Sequence, residues 1–364
     1  MPGPGTGETL MGKQCIGLDI GTSAIKLVQV KVSRRGMALT NFGIEPVPPQ
    51  SIVDGVVMNH RALVDALRNL ANRIHLRGKG MAIAVSGNAV IIKRLTIPAM
   101  DGPALEEQME WEVRQNIPFS RDDVVVDHEV LVQQTPQGQM EVMLVAAKRE
   151  VVGQYIQVVR DAGFQPTVVD AAAFSLQNAV EGGVGFSPGE TVAIVNVGAT
   201  FSTMSIVQGG LPTFNRDLGV GGNTYTEAIR TRLAVSTDGA EAYKVGGAVA
   251  AAGAAADVVP QEVHRILAQV SEQVAEEFQR SLDFYMNDAV DTHLSRIYLA
   301  GGSALVPQLP KALQDRSRIP VEIFDPFMRV SVDPRRFHVD YLRANAPVAA
   351  IAFGLALRRA GDSA

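Results

Sequence analysis

The sequence predicts an α/β protein built from two related halves that face one cleft, with a smaller α/β module inserted in the first half. Three observations predict it. Residues 16–30 are two short apolar runs flanking Asp19-Ile20-Gly21-Thr22-Ser23, the pattern of a β-hairpin with a polar tip. Residues 191–207 repeat the pattern, with Asn196-Val197-Gly198-Ala199-Thr200 at the tip. Residues 296–307 form a third apolar run that breaks at Gly301-Gly302-Ser303 before an apparent helix start. One such turn is weak evidence, whereas the ordered set places two domains across a common ligand.

The elements follow in order. Strands are expected over 15–20, 24–32 and 37–44, then a Pro-rich loop over 45–49. Leu63, Leu67, Leu70 and Ile74 keep helical spacing, so 61–74 reads as an amphipathic helix, with a strand over 81–85. Residues 93–168 give strand, helix, two strands joined by a turn at 134–138, helix and strand. That βαββαβ order predicts a two-layer module of its own. Val263, Ile266, Val270, Val274, Phe278 and Leu282 mark one long amphipathic helix. The Gly/Ala-rich run 245–256 reads as a surface loop, and 348–357 as a C-terminal helix returning to the first half and acting as a hinge. Trp111, among Met109, Val113 and Ile117, reads first as core packing.

The tips carry the chemistry. Gly21 lets backbone approach a ligand. The N–H groups and hydroxyls of Thr22 and Ser23 make an anion nest, and Lys26 adds a cation. Asp19 can reach a phosphate-bound Mg²⁺ through water. Gly198 and Thr200 repeat the nest, and Gly221 and Gly222 allow a further close approach to phosphates. Glu241 and Lys244 share one helix face and suit ribose hydroxyls. Gly301, Gly302 and Ser303 let a base or α-phosphate lie against the backbone. A nucleoside triphosphate with Mg²⁺ fits this set.

With these motifs the chain resembles the actin-like ATPase superfamily, which includes actin, the heat-shock chaperone ATPases, sugar kinases and FtsA. Trp111-Glu112 with Ile117-Pro118-Phe119, and Leu282-Asp283-Phe284-Tyr285, make it most similar to the family of type IV pilus assembly protein PilM. The resemblance implies two duplicated RNase H-like core subdomains around a nucleotide cleft, with an inserted 1C module. It divides the chain into a tail (1–11), subdomain 1A (12–92 and 346–364), 1C (93–168), a connecting helix (169–189), 2A (190–234 and 296–345) and a small 2B (235–295). It implies ATP and Mg²⁺ as cofactors, with Asp19 the metal-linked carboxylate. Asn196 stands where relatives carry an aspartate that helps set up metal and water. Binding without brisk hydrolysis is therefore expected, and Asn196 is at most a weak catalytic residue. The implied partner is the N-terminal cytoplasmic peptide of PilN, in a groove between 1A and 1C. The PilN/PilO inner-membrane complex and the pilus motor ATPases would lie nearby, and the protein would be cytoplasmic, peripheral to the inner membrane. The alternative is an FtsA-like division ATPase, which normally ends in an amphipathic membrane helix; the short end 355–364 does not read as one.

Composition bounds these readings. The chain has 364 residues, 46% hydrophobic and 20% charged, and a net charge of −5. That is a globular composition, and it does not favour nucleic acid. The single cysteine, Cys15, leaves no internal disulfide and reads as a small buried residue. No run of apolar residues is long enough to span a membrane, so direct membrane insertion is not expected. The Gly/Pro-rich start lacks a basic segment and an apolar core, and reads as a disordered tail rather than a signal peptide.

Overall fold

The computed structural model describes residues 14–246, 261–288 and 293–362; the expected tail 1–11 and most of the expected 245–256 loop lie outside these residues. The first half opens with β1 (Ile16–Ile20), β2 (Ala24–Ser33) and β3 (Gly36–Pro46). A short hairpin of β4 (Ile52–Val53) and β5 (Val56–Val57) precedes α1 (His60–Arg73) and β6 (Gly80–Val85). β1 and β2 pair antiparallel with Asp19 opposite Lys26, and β6 runs parallel to β1. α1 starts at Asn59, whose side chain accepts the Ala62 N–H, and buries Leu63, Leu67 and Leu70.

Next come β7 (Val90–Pro98), α2 (Pro103–Asn116), β8 (Val124–Val132) and β9 (Gln139–Lys148). The three strands form their own sheet in the order β7-β9-β8. α2 covers one face of it through Met109 and Val113, with Ile117 just beyond. α3 (Arg149–Asp161) and β10 (Gln165–Ala171) complete the βαββαβ order but not the module. β10 pairs parallel with β6, and α3 buries Val151, Tyr155, Val158 and Val159 in the core of the first sheet. The module is thus shorter than 93–168, because periodicity gives an element's type and not its partner. Trp111 is also not core: it is 52% exposed. It lies two residues from inward-facing Met109, about 200° around the helix. Glu112 is buried instead, its carboxylate accepting from the amides of Gln108 and Asn116.

α4 (Ala172–Gly183) leads to the second half: β11 (Thr191–Val197), β12 (Ser202–Gln208), β13 (Leu211–Leu218), α5 (Gly222–Leu233) and α6 (Thr237–Lys244). α7 (Gln261–Asp288), β14 (Leu294–Ala300), α8 (Gln308–Ser317) and β15 (Val321–Ile323) follow. The sheet order is β13-β12-β11-β14-β15. Its centre repeats the first half, an antiparallel hairpin with a parallel strand beside its first member. α7 does not belong to a separate cap with its own core. Val263, Ile266, Val270, Val274 and Phe278 join the core of β11 and β14, since a helix with one long apolar stripe needs a sheet face to cover it.

The chain ends with β16 (Val330–Ser331), α9 (Val339–Ala344) and α10 (Ala350–Ala356). β16 pairs with β3, so this stretch extends the first sheet rather than the second core. The first sheet runs β10-β6-β1-β2-β3-β16. α4 and α10 lie between the sheets. One buried cluster holds Val28 and Val30 of the first sheet, Leu176 and Val180 of α4, Val192 and Ile194 of the second sheet, and Phe353 of α10. A Cβ on Gly17 would sit 1.9 Å from the Ala352 carbonyl oxygen, and one on Gly354 1.7 Å from the Ser175 carbonyl oxygen. Backbones this close require glycine.

Gly354→Ala should therefore lower stability by about 3 kcal/mol or more, at the upper end of overpacking costs. Gly153, exposed in α3 with nothing within 4 Å of an added Cβ, is the control. Gly153→Ala should raise stability by about 0.5–1 kcal/mol. Denaturant melts of both variants check the pair; equal effects would mean the α4–α10 contact is not tight.

Candidate nucleotide site

The turns singled out by the sequence meet in one cleft of about 360 Å³ between the two sheets. Asp19, Gly21, Thr22, Ser23 and Lys26 line it from the first hairpin, and Asn196, Gly198 and Thr200 from the second. Gly222, Glu241 and Lys244 line it from α5 and α6, and Gly301, Gly302 and Ser303 from the segment after β14. Gly221 is not among the lining residues. A Cβ on it would sit 2.7 Å from the Ala199 carbonyl oxygen and 2.8 Å from that of Gly198, so it seats α5 on the second turn.

The two turns close in the same way. The Gly21 N–H donates to the Ala24 carbonyl at 3.1 Å, and the Gly198 N–H to that of Phe201 at 3.2 Å. The tips touch, Thr200 Oγ1 donating to Thr22 Oγ1 at 3.0 Å. Lys26 Nζ donates to Asp19 Oδ2 at 3.0 Å, both side chains being largely buried. α5 is anchored to the second turn by the N–H groups of Gly222 and Asn223, which donate to Gly198 and Ala199 at 2.8 Å each. Glu241 and Lys244 do share a face: they pair at 2.6 Å, and Lys244 Nζ also donates to Thr226 Oγ1 at 3.0 Å. Gly301 has φ +90°, and a Cβ there would meet the Val197 carbonyl oxygen at 2.4 Å. This position admits only glycine.

The sequence missed Tyr155. Its ring comes from α3 and lines the cleft near Asp19. Burial first, and then the Asp19 charge, hold its phenol well above the ordinary value. No local motif marks it, because its place depends on α3 packing against the first sheet. A second bridge between the halves lies below the cleft. Asp217 Oδ2 accepts the Gly87 N–H at 2.9 Å, and Oδ1 accepts from Thr203 Oγ1 at 2.7 Å. Burial pushes the Asp217 carboxyl up, against those two hydrogen bonds.

Residues 17–360 match the family described as type IV pilus assembly protein PilM. A solved structure described as a PilM–PilN type IV pilus biogenesis complex contains a similar chain. It is 29% identical, with a TM-score of 0.83, over 95% of this chain and 98% of that one. The ethanolamine utilization protein EutJ from Carboxydothermus hydrogenoformans is also similar, at 15% identity and a TM-score of 0.56, over 98% of this chain and 90% of that one. At 15% identity the likeness is one of fold.

Behind the cleft floor, Asp170 is almost wholly buried where β10 meets α4. Its carboxylate accepts the Ala171 N–H at 2.8 Å and lies 3.7 Å from Arg358 Nε. Burial pushes the carboxyl up to about 6, against the pull of Arg358 and the hydrogen bonds. An acid raised in this way holds its proton better in the folded state. Its contribution to stability is full below the unfolded value of about 4 and is lost as the pH rises through about 6. Asp170→Asn removes the titration. Relative to that variant, the wild type should lose about 2 to 3 kcal/mol between about pH 4 and pH 7. Urea melts across that range check it, and a constant difference would exclude a titrating Asp170.

Proposed function

The chain belongs to the family of type IV pilus assembly protein PilM and has the actin-like ATPase fold, and from that membership we propose that it is a nucleotide-bound scaffold of a type IV pilus machine. In this reading ATP with Mg²⁺ occupies the cleft, and the module of β7, β8 and β9 holds the N-terminal cytoplasmic tail of PilN. The observation that carries it is the meeting of two identically closed glycine turns in one cleft.

The residues fit the nucleotide. The cleft volume of about 360 Å³ is in the range of small-molecule sites. The cradle is one that side chains would fill: a Cβ on Gly21 would meet Lys26 Nζ at 2.6 Å, and one on Gly222 would meet Ser303 Oγ at 2.8 Å. The turn N–H groups, the hydroxyls of Thr22, Ser23 and Thr200, and Lys26 would hold phosphate oxygens. Glu241 and Lys244 would face the ribose, and Gly301, Gly302 and Ser303 the base. Asp19 would hold Mg²⁺ through water, and the metal, when bound, supplies charge neutralisation for the phosphates. Asn196, at the end of β11, can orient water but cannot take its proton. ATP would then act by favouring the closed shape, with slow turnover.

The PilN tail would lie in the groove between the first sheet's core and the small sheet, along the small sheet's face turned away from α2, where Val90 and Ala147 already pack against the first core. Pairing sets Val125 and Val90 either side of Ala147, and Asp127 and Ile92 either side of Val145. Val125 is 41% exposed. An extended peptide fits such a surface through main-chain pairing and alternate side-chain pockets. Among the described residues no helix is long and apolar enough to cross a membrane; PilN would be the membrane link, on the cytoplasmic side. PilO and the pilus motor ATPases would then be neighbours.

Asp19→Ala should weaken Mg-ATP binding tenfold or more, about 1.4 kcal/mol, by calorimetry. Asn196→Asp should speed steady-state phosphate release by roughly tenfold to a hundredfold, about 1.4 to 2.7 kcal/mol of barrier. Wild-type hydrolysis at ~1 per second or faster would sink the scaffold reading. For the partner, Val125→Asp should weaken binding of a synthetic PilN tail peptide tenfold or more while leaving ATP affinity unchanged. Undiminished peptide capture would move the groove elsewhere.

A further inference from the structure

At the end of the first hairpin away from the cleft, unpaired positive charge gathers. β2 runs 10 residues from the cleft turn, about 30 Å, and carries Lys31 near its end, just before Arg34 and Arg35 in the turn to β3. β16 pairs parallel with β3, Val330 opposite Met37, which brings the Arg329 backbone beside that turn, its guanidinium lying over Gly185. The following loop returns Arg335 and Arg336, and Arg336 Nη2 donates to the Thr40 carbonyl oxygen on β3 at 2.9 Å. All six cations are exposed. None of them is in an ion pair among the described residues, whereas Arg73, Arg94, Arg121, Arg230 and Arg280 on other surfaces each have at least one.

Among the described residues, three acids lie in the same stretch: Asp325 accepts the Phe327 N–H at 2.8 Å, Asp333 gives one carboxylate oxygen to the Arg335 N–H at 3.0 Å, and Asp340 is exposed in α9. The whole chain carries −5, so this edge runs against its overall sign. Two apolar side chains stand out among the cations, Val32 at 38% and Met328 at 69% exposure.

We propose that this edge of the first sheet rests on an anionic lipid surface. The arginines and Lys31 contact headgroup phosphates, and Val32 and Met328 enter the interfacial layer. Cations spread along a sheet edge, with single apolar side chains between them, match an interface with lipid better than a socket for one acidic side chain. Each Lys or Arg near such a surface adds roughly fivefold to binding. The surface is remote from the cleft turns and does not depend on the nucleotide reading.

The test uses the full chain, without partners, sedimented with vesicles of phosphatidylglycerol and phosphatidylethanolamine, and in parallel with phosphatidylcholine vesicles. The protein should pellet with the anionic vesicles and not with the neutral ones. It should be released at about 1 M salt, where the screening length is about 3 Å. Arg34→Glu combined with Arg35→Glu, at an exposed turn, should cut binding tenfold or more with an unchanged melting temperature. Equal binding to both vesicle types, or an unaffected double variant, would overturn the proposal. So would a wild type that ignores anionic vesicles yet binds polyglutamate through the same arginines, which would assign the edge to an acidic protein.

Discussion

The architecture depends on how closely α10 approaches its neighbours. At Gly17 and Gly354 two backbones meet where even one methyl group has no room. Through these contacts the last helix locks to β1 on one side and α4 on the other, and both sheets share its core. Interiors packed at this density transmit displacement rather than absorb it. The distance between the two glycine turns is therefore set in the layer between the sheets as well as by the Thr200–Thr22 hydrogen bond at the tips.

That layer explains why the cleft is built from pieces remote in sequence. Asp19, Asn196 and Gly301 each stand at or just beyond the end of a central strand, β1, β11 and β14. Brought side by side, the strands deliver their turns to one rim. α5 and α6 add Gly222, Glu241 and Lys244 because their start is pinned to the second turn by backbone hydrogen bonds. The site is thus a property of sheet order, and side chains complete what the backbone arranges.

The parts legible in the sequence were those with local causes. A glycine with a threonine one or two residues on, between apolar runs, makes the same closed turn at Gly21 and at Gly198, and three-residue spacing puts Glu241 beside Lys244. Elements whose partners lie far along the chain were typed correctly and placed wrongly. α3 and β10 joined the first sheet, and α7 joined the core of the second; the short β16, which no pattern marked, crossed from the stretch assigned to the second half to the edge of the first. Trp111 was misread because apolar neighbours in sequence were taken for neighbours on the helix face. Tyr155 carried no signal, since its view of the cleft follows only from the seat of α3.

The Asp19–Lys26 pair gives the cleft a particular resting chemistry. Each side chain neutralises the other at 3.0 Å, both being largely buried. An arriving anion that drew Lys26 away would leave Asp19 a largely buried charge without a partner, and an arriving cation that claimed Asp19 would strand Lys26 in the same way. Either guest alone meets a penalty, and the two together satisfy both residues. In the nucleotide reading such an arrangement would make anion and cation mutual prerequisites, each raising the affinity for the other by the same factor. In that reading the cleft would then discriminate against bare phosphate and bare divalent ions alike, and select the neutralised pair.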